Sequence, residues 1–136
     1  MIDSFEAQYE FLSNFYMGHV EFEGILYPSV EHAFQAAKSL DEHERLVILE
    51  QSTPGMAKRV GRKVVLRNDW EDVKVKIMEK IVRVKFSKSP EKEMLMETGN
   101  EKLVEGNWWN DTFWGVCNGI GQNQLGKILM KVRSEI

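Results

Sequence analysis

A single cysteine, Cys117, occurs in 136 residues, so no internal disulfide is available and the chain must hold itself together by burying a core. Histidine is nearly as scarce. His19, His32 and His43 are too scattered for a metal site, and no His/Cys cluster has zinc-ligand spacing. No apolar run approaches the roughly 20 residues of a membrane span. The opening Met1-Ile2-Asp3-Ser4-Phe5-Glu6 lacks the basic and apolar regions of a secretory leader, so the chain is expected in the cytoplasm, away from membranes. An excess of positive charge is also missing: 18 Lys and Arg face 21 Asp and Glu, a net charge of −3, which disfavours nonspecific coating of duplex nucleic acid. There is no internal repeat, low-complexity segment or linker. One domain over residues 1–136 is the expectation.

What is present is an ordinary globular composition, 43% hydrophobic and 29% charged, arranged around Tyr27-Pro28-Ser29-Val30-Glu31-His32-Ala33-Phe34-Gln35-Ala36-Ala37-Lys38. Pro28 ends the preceding segment. Ser29 is a good N-cap, because its hydroxyl can accept from free amides of the first turn, and Glu31 then lies where the helix dipole favours a negative charge. Glu31 is therefore expected to be ionised at neutral pH. Gln35 and Lys38 follow at helical spacing, so a carboxylate, an amide and an amine share one face while Ala33, Phe34 and Ala37 pack elsewhere. Such a row suits a polar ligand; a helix with a satisfied N-terminal glutamate and solvated polar residues is the plainer account.

Before this helix, Val20-Glu21-Phe22-Glu23-Gly24-Ile25-Leu26-Tyr27 alternates apolar and acidic residues about a glycine and predicts a short hairpin. Asn14, inside Phe11-Leu12-Ser13-Asn14-Phe15-Tyr16, is either a turn residue or a ligand contact. After it, Asp41 caps a helix over 41–49, with Glu44 completing a capping box. Thr53 and Pro54 start another, which Gly61 stops. Arg59, Arg62, Lys63 and Arg67 then form a basic run, either a solvated face or a field that steers an anionic ligand. The longest helix is expected after Asn68, with Glu71 as the reciprocal partner, carrying Trp70, Val73, Ile77, Met78, Ile81 and Val82 toward Phe86, and Lys85 near its end. Ser89-Pro90 begins a further helix to about Thr98, residues 102–105 read as extended, and residues 122–133 form the last helix.

Between these last two lies Gly106-Asn107-Trp108-Trp109-Asn110-Asp111-Thr112-Phe113-Trp114-Gly115. Three tryptophans in a loop require a cause: they plug the core or present flat surfaces to a planar ligand. Asp111 among them needs partners, and a carboxylate partly buried beside aromatics is a common seat of acid–base chemistry. Gly119 and Gly121, ahead of the last helix, carry a weak resemblance to a phosphate-cradling loop.

Taken together, Ser13-Asn14-Phe15, the segment from Tyr27 to Lys38, Leu66-Arg67-Asn68-Asp69-Trp70-Glu71, Lys85-Phe86, Leu103-Val104-Glu105, Asn110-Asp111-Thr112-Phe113-Trp114-Gly115, Gln122-Asn123-Gln124-Leu125-Gly126 and Leu129-Met130 resemble, in order and spacing, the YbiA-like or NADAR (NAD- and ADP-ribose-associated) N-glycosidase family. The resemblance covers nearly the whole chain. It implies a mainly α fold with a few short β-strands, and hydrolysis of the C1′–N bond of a phosphorylated ribose derivative without metal or other cofactor. The implied substrates are a riboflavin-pathway ribosylamine phosphate or ADP-ribose attached to guanine in nucleic acid; a non-catalytic NAD or ADP-ribose sensor is the alternative. Breaking a C1′–N bond builds positive charge on the sugar, so Glu31 is expected to stabilise it and Asp111 to handle the attacking water, with exchanged roles also open. Trp114 and Trp70 are expected to wall the base, Asn14 and Asn123 to bond sugar hydroxyls or phosphate, Gln35 to share the polar face, and Lys38 with Lys85 to meet phosphate charge. Trp108 and Trp109 fall outside the family pattern and either widen the stacking surface or cover the core.

Overall fold

The alternation from Val20 to Tyr27 does form a hairpin. In the computed structural model, which describes residues 1–136, strands β1 (Met17–Phe22) and β2 (Ile25–Ser29) pair antiparallel with Val20 opposite Tyr27 and Phe22 opposite Ile25. Glu23 and Gly24 both take positive φ, 50° and 85°, the backbone a two-residue turn needs to match strand twist. Pro28 does not end the strand as expected. It lies within β2, opposite an irregularity between Met17 and Val20, so its missing N–H breaks no ladder bond.

From the end of β2 the chain turns into α1 (Val30–Ala37), capped by Ser29, whose hydroxyl accepts from the His32 N–H at 3.1 Å. All eight residues of α1 are buried. Around it lie α2 (Glu42–Leu49), α3 (Pro54–Gly61) and α4 (Trp70–Lys85), all within residues 14–85, one of two compact units of the chain. Asp41 Oδ1 caps α2 by accepting from the N–H groups of His43 and Glu44, and Thr53 caps α3 by accepting from Met56. The reciprocal half of the first box is absent. Glu44 instead accepts from the Ser39 hydroxyl at 2.5 Å and from the Val65 N–H, while the Asp41 N–H goes to Ser39 Oγ. Likewise Asn68 does not cap α4: the Trp70 N–H donates to the Arg67 carbonyl, those of Asp72 and Val73 donate to the Asp69 carbonyl, and Glu71 pairs with Lys74 at 2.9 Å.

The second unit comprises residues 1–13 and 86–136. A 3-10 helix (Ala7–Leu12) precedes the break, a segment without a sequence signal of its own. Beyond it come α5 (Glu91–Glu97), the two-residue strands β3 (Gly106–Asn107) and β4 (Val116–Cys117), paired parallel, and α6 (Gln124–Glu135). Leu103 forms a parallel bridge with Ile2, the extended piece expected at 102–105. α6 starts two residues later than its periodicity predicts, because Asn123 sits in the left-handed region at φ 55°, ψ 42°. Its apolar stripe, Leu125, Ile128, Leu129 and Val132, is buried. Seven helical segments against four short strands make the mainly α architecture expected. No helix is long and apolar enough to cross a membrane.

The start of α1 rests on one buried group. His32 Nε2 lies 2.9 Å from the Gln51 carbonyl, which can only accept, so Nε2 carries the proton and Nδ1 accepts from the Ser29 hydroxyl at 2.7 Å. Ser29→Ala removes both the cap and that donor. It is expected to cost about 1–3 kcal/mol of folding stability, read as a lower midpoint in chemical denaturation.

Candidate functional site

Within residues 14–85, Glu31 lies in the first turn of α1, with Gln35 and the Asn14 carbonyl beside it. Glu31 is 7% exposed, and its N–H donates to the Asn14 carbonyl at 3.1 Å, tying the helix start to the loop before β1. Gln35, one turn on, turns its Nε2 toward Glu31 Oε2 at 3.4 Å, a long contact that still aims a donor at the carboxylate. Lys38 follows as the C-cap residue. Burial holds the Lys38 ammonium below the ordinary lysine range; the negative charge of Glu31 pushes back upward, and Lys58 and Arg62 press it further down. The carboxylate, amide and amine expected on one face are therefore linked, Glu31 to Gln35 by the hydrogen bond and to Lys38 by charge, and Lys58 of α3 and Arg62 of the basic run act on the same lysine.

Lys85 is buried, its Nζ lying 5.1 Å from the centre of the Tyr16 ring, an arrangement in which the ring's electron-rich face attracts the charge. Asn14 Nδ2 reaches Met78 Sδ at 3.6 Å. Trp70 is buried against Phe34, with ring centroids 5.0 Å apart and tilted by 52°, which is the packing role its helix position suggests.

In the other unit, Asp111, Trp114 and Asn123 share a loop whose backbone is extensively bonded. Asp111 Oδ1 accepts from the N–H groups of Phe113 and Trp114 at 3.2 and 3.0 Å, so the carboxylate shapes the turn that carries Trp114. Asn107 pins the other side: its Oδ1 accepts from the Asp111 N–H, and its Nδ2 donates to the Asp111 carbonyl at 2.9 Å and to Glu105 Oε2 at 3.0 Å. Neither Asn107 nor Glu105 is among the expected site residues, because both act on residues of their own loop through side-chain geometry that spacing does not reveal. The Trp114 ring meets Phe113 edge to face, with centroids 4.8 Å apart.

Asn123 is buried and engaged at both ends of its amide, accepting from the Glu105 N–H and donating to the Leu103 carbonyl, each at 3.0 Å. The glycines before α6 do not leave its amides open for a phosphate. Gln122, Asn123, Gln124 and Leu125 donate to the carbonyls of Thr112, Gly115, Phe113 and Trp114, so loop carbonyls occupy the place where an anion would sit. Trp108 is 82% exposed and stands edge-on to Trp109 at 5.5 Å; it does not cover the core. It borders a cleft of about 930 Å³ lined also by Lys102, Asn118, Gln122, Asn123 and Lys127. No group of three or more His, Cys, Asp or Glu side chains is placed to hold a metal.

A model of the NADAR domain matches residues 3–136. The chain belongs to the NADAR domain family. It is 41% identical over 128 residues to N-glycosidase YbiA of Escherichia coli strain K12, an alignment covering 91% of this chain and 79% of that protein. It is 38% identical over 135 residues to an N-glycosidase of Nostoc punctiforme, covering 94% and 86%. A riboflavin biosynthesis protein of Vibrio vulnificus is 37% identical over 135 residues, which span 96% of this chain but 36% of that one. The solution structure of E. coli YbiA superposes with a TM-score of 0.87 at 39% identity, covering 99% of this chain and 84% of that one.

The linkage at Lys38 is directly measurable. In a protein carrying ¹³C-methylated lysines, Lys38 should titrate below the exposed lysines; Lys58→Ala should raise its midpoint by removing a like charge, and Glu31→Gln should lower it by removing the opposing one. Because the folded value lies below the unfolded one, the unfolded chain binds more protons between the two. This site's penalty on folding is therefore present at neutral pH and relieved as pH rises through that window.

Proposed function

We propose that the protein is an N-glycosidase that hydrolyses the C1′–N bond of a phosphorylated ribose derivative, with Glu31 as the charge that stabilises the transition state. The supporting observation is the placement of Glu31: a nearly buried carboxylate in the first turn of α1, with the Gln35 amide aimed at it and Lys38 within its electrostatic reach. Family membership supplies the reaction class, since the relatives from E. coli and Nostoc punctiforme are named N-glycosidases.

The chemistry follows from charge. As the C1′–N bond breaks, its electron pair leaves on nitrogen, which takes up a proton, and the sugar becomes oxocarbenium-like until water delivers oxygen to C1′. A fixed carboxylate meets positive charge that is absent from the ground state, so it lowers the barrier rather than only improving binding. Burial strengthens that attraction by excluding water. Lys38 and Lys85 are the cations assigned to substrate phosphate, and Asn14, Trp70 and Trp114 to the sugar and base, on the strength of the family resemblance; Asp111 takes the water-handling role on the same ground.

For the substrate, an intermediate of riboflavin synthesis is favoured, because relatives from Vibrio vulnificus and Zea mays are named riboflavin biosynthesis proteins. ADP-ribosyl-guanine in nucleic acid is the second candidate, and incubation with each, followed by detection of free base or amine, separates the two. Binding of NAD or ADP-ribose with no release from either would instead identify a sensor module.

Glu31→Gln keeps the size and hydrogen-bonding capacity of the side chain and removes its charge. It should lower turnover at least about a hundredfold, roughly 3 kcal/mol of transition-state stabilisation, with unchanged melting; near-normal turnover would refute the assignment. Asp111→Asn retains an acceptor for the Phe113 and Trp114 N–H groups, so the turn should persist. Loss of turnover by about a hundredfold in a protein of normal melting temperature is the result expected of a carboxylate that activates water.

A further inference from the structure

Gln35 is 4% exposed, and its Oε1 is buried without a hydrogen-bond partner. Interchanging the oxygen and nitrogen of this amide would place an acceptor against Glu31 Oε2, so repulsion selects the orientation with Nε2 toward the carboxylate. An orphaned acceptor costs free energy, and the amide can hold this place only where its surroundings leave room for it. The neighbour at that spot is Gly61, in the last turn of α3: a Cβ there would overlap Gln35 Oε1 and approach Gln35 Cδ to 2.8 Å and Cβ to 3.0 Å. Gly61 is helical and is not among the glycines with positive φ. Its backbone would accept any residue, so what the position requires is space.

We infer that Gly61 is a positioning residue for the reaction: by lacking a side chain it lets the Gln35 amide lie flat between α1 and α3 with its N–H groups facing Glu31. This rests on the reading of Glu31 as the group that answers charge on the sugar. Gln35 then acts through Glu31, supporting the ionised carboxylate and fixing the direction from which its charge acts. Gly61 acts one step further out, on Gln35. A change at either position should alter the chemical step and leave substrate affinity almost untouched.

The test is a four-variant cycle assayed for release of free base or amine from a phosphorylated N-ribosyl substrate. Gly61→Ala and Gln35→Ala should each lower kcat about tenfold, with KM within about twofold of the parent. In the Gln35→Ala background, Gly61→Ala has no amide to displace and should change kcat by less than about twofold. Melting temperatures should show the same pattern: a drop on Gly61→Ala in the parent, and little further drop once Gln35 is truncated. Equal losses in both backgrounds would place the clash on the backbone and overturn the inference, as would normal kcat in Gln35→Ala. If Gly61→Ala fails to fold in the parent, recovery of soluble protein in the Gln35→Ala background supports it, and failure in both overturns it. Glu31→Gln is assayed in parallel. Normal turnover there defeats the reading of Glu31 itself, whereas an inactive Glu31→Gln beside a fully active Gln35→Ala defeats only the role of Gln35 and Gly61.

Discussion

The placement of Glu31 depends on the hydrogen-bonded chain Ser29–His32–Gln51 at the root of α1. A helix start leaves several N–H groups without partners, and here the Ser29 hydroxyl satisfies one while donating to a buried imidazole whose other nitrogen is held by the Gln51 carbonyl. Each donor has one acceptor and each acceptor one donor, so the imidazole has a single tautomer and the serine a single rotor position. With the Asn14 carbonyl taking the Glu31 N–H, the first turn is fixed on two sides, and the backbone from which the Glu31 side chain departs is fixed with it.

Much of this was readable in advance because the signals are local. Ser29, Asp41 and Thr53 each cap a helix through bonds that reach two or three residues ahead, a distance over which side-chain chemistry and backbone geometry are tightly coupled. The face shared by Glu31, Gln35 and Lys38 follows from helical periodicity alone. What failed were the reciprocal bonds. Glu44 and Glu71 had closer competitors in Ser39, Val65 and Lys74, two of them outside any box the sequence could define. Acidic side chains at or near the surface have several partners of nearly equal merit, and tertiary placement decides among them.

The aromatic loop shows the opposite limit. Its composition signalled importance, yet composition did not say which residues support and which are presented. The structure separates them. Asp111, Asn107 and Asn123 spend hydrogen bonds on loop backbone, whereas Trp108 extends into solvent beside the cleft. Asn123 binds the Glu105 N–H and the Leu103 carbonyl and also lines the cleft; an amide serves equally well on a sugar or on a peptide, so its support of the backbone is not legible from residue type.

The glycines carry the least visible information. Gly61 reads as a helix stop and Gly115 as loop pliability, but both stand where a side chain of another residue lies against bare backbone. A Cβ at Gly115 would overlap the Glu105 carboxylate and crowd Asn107 Nδ2 at 2.7 Å, just as one at Gly61 would overlap the Gln35 amide. Gly126, inside α6, does the same for Asn123, whose amide and the Leu103 carbonyl would both collide with an added methyl. Neither Gly61 nor Gly126 is needed for φ, and in a helix glycine is a disfavoured choice, by about 1 kcal/mol relative to alanine. That cost is offset only if the close approach matters, and at each of these three places a polar side chain is among the groups brought close, joined at Gly115 and Gly126 by a backbone carbonyl.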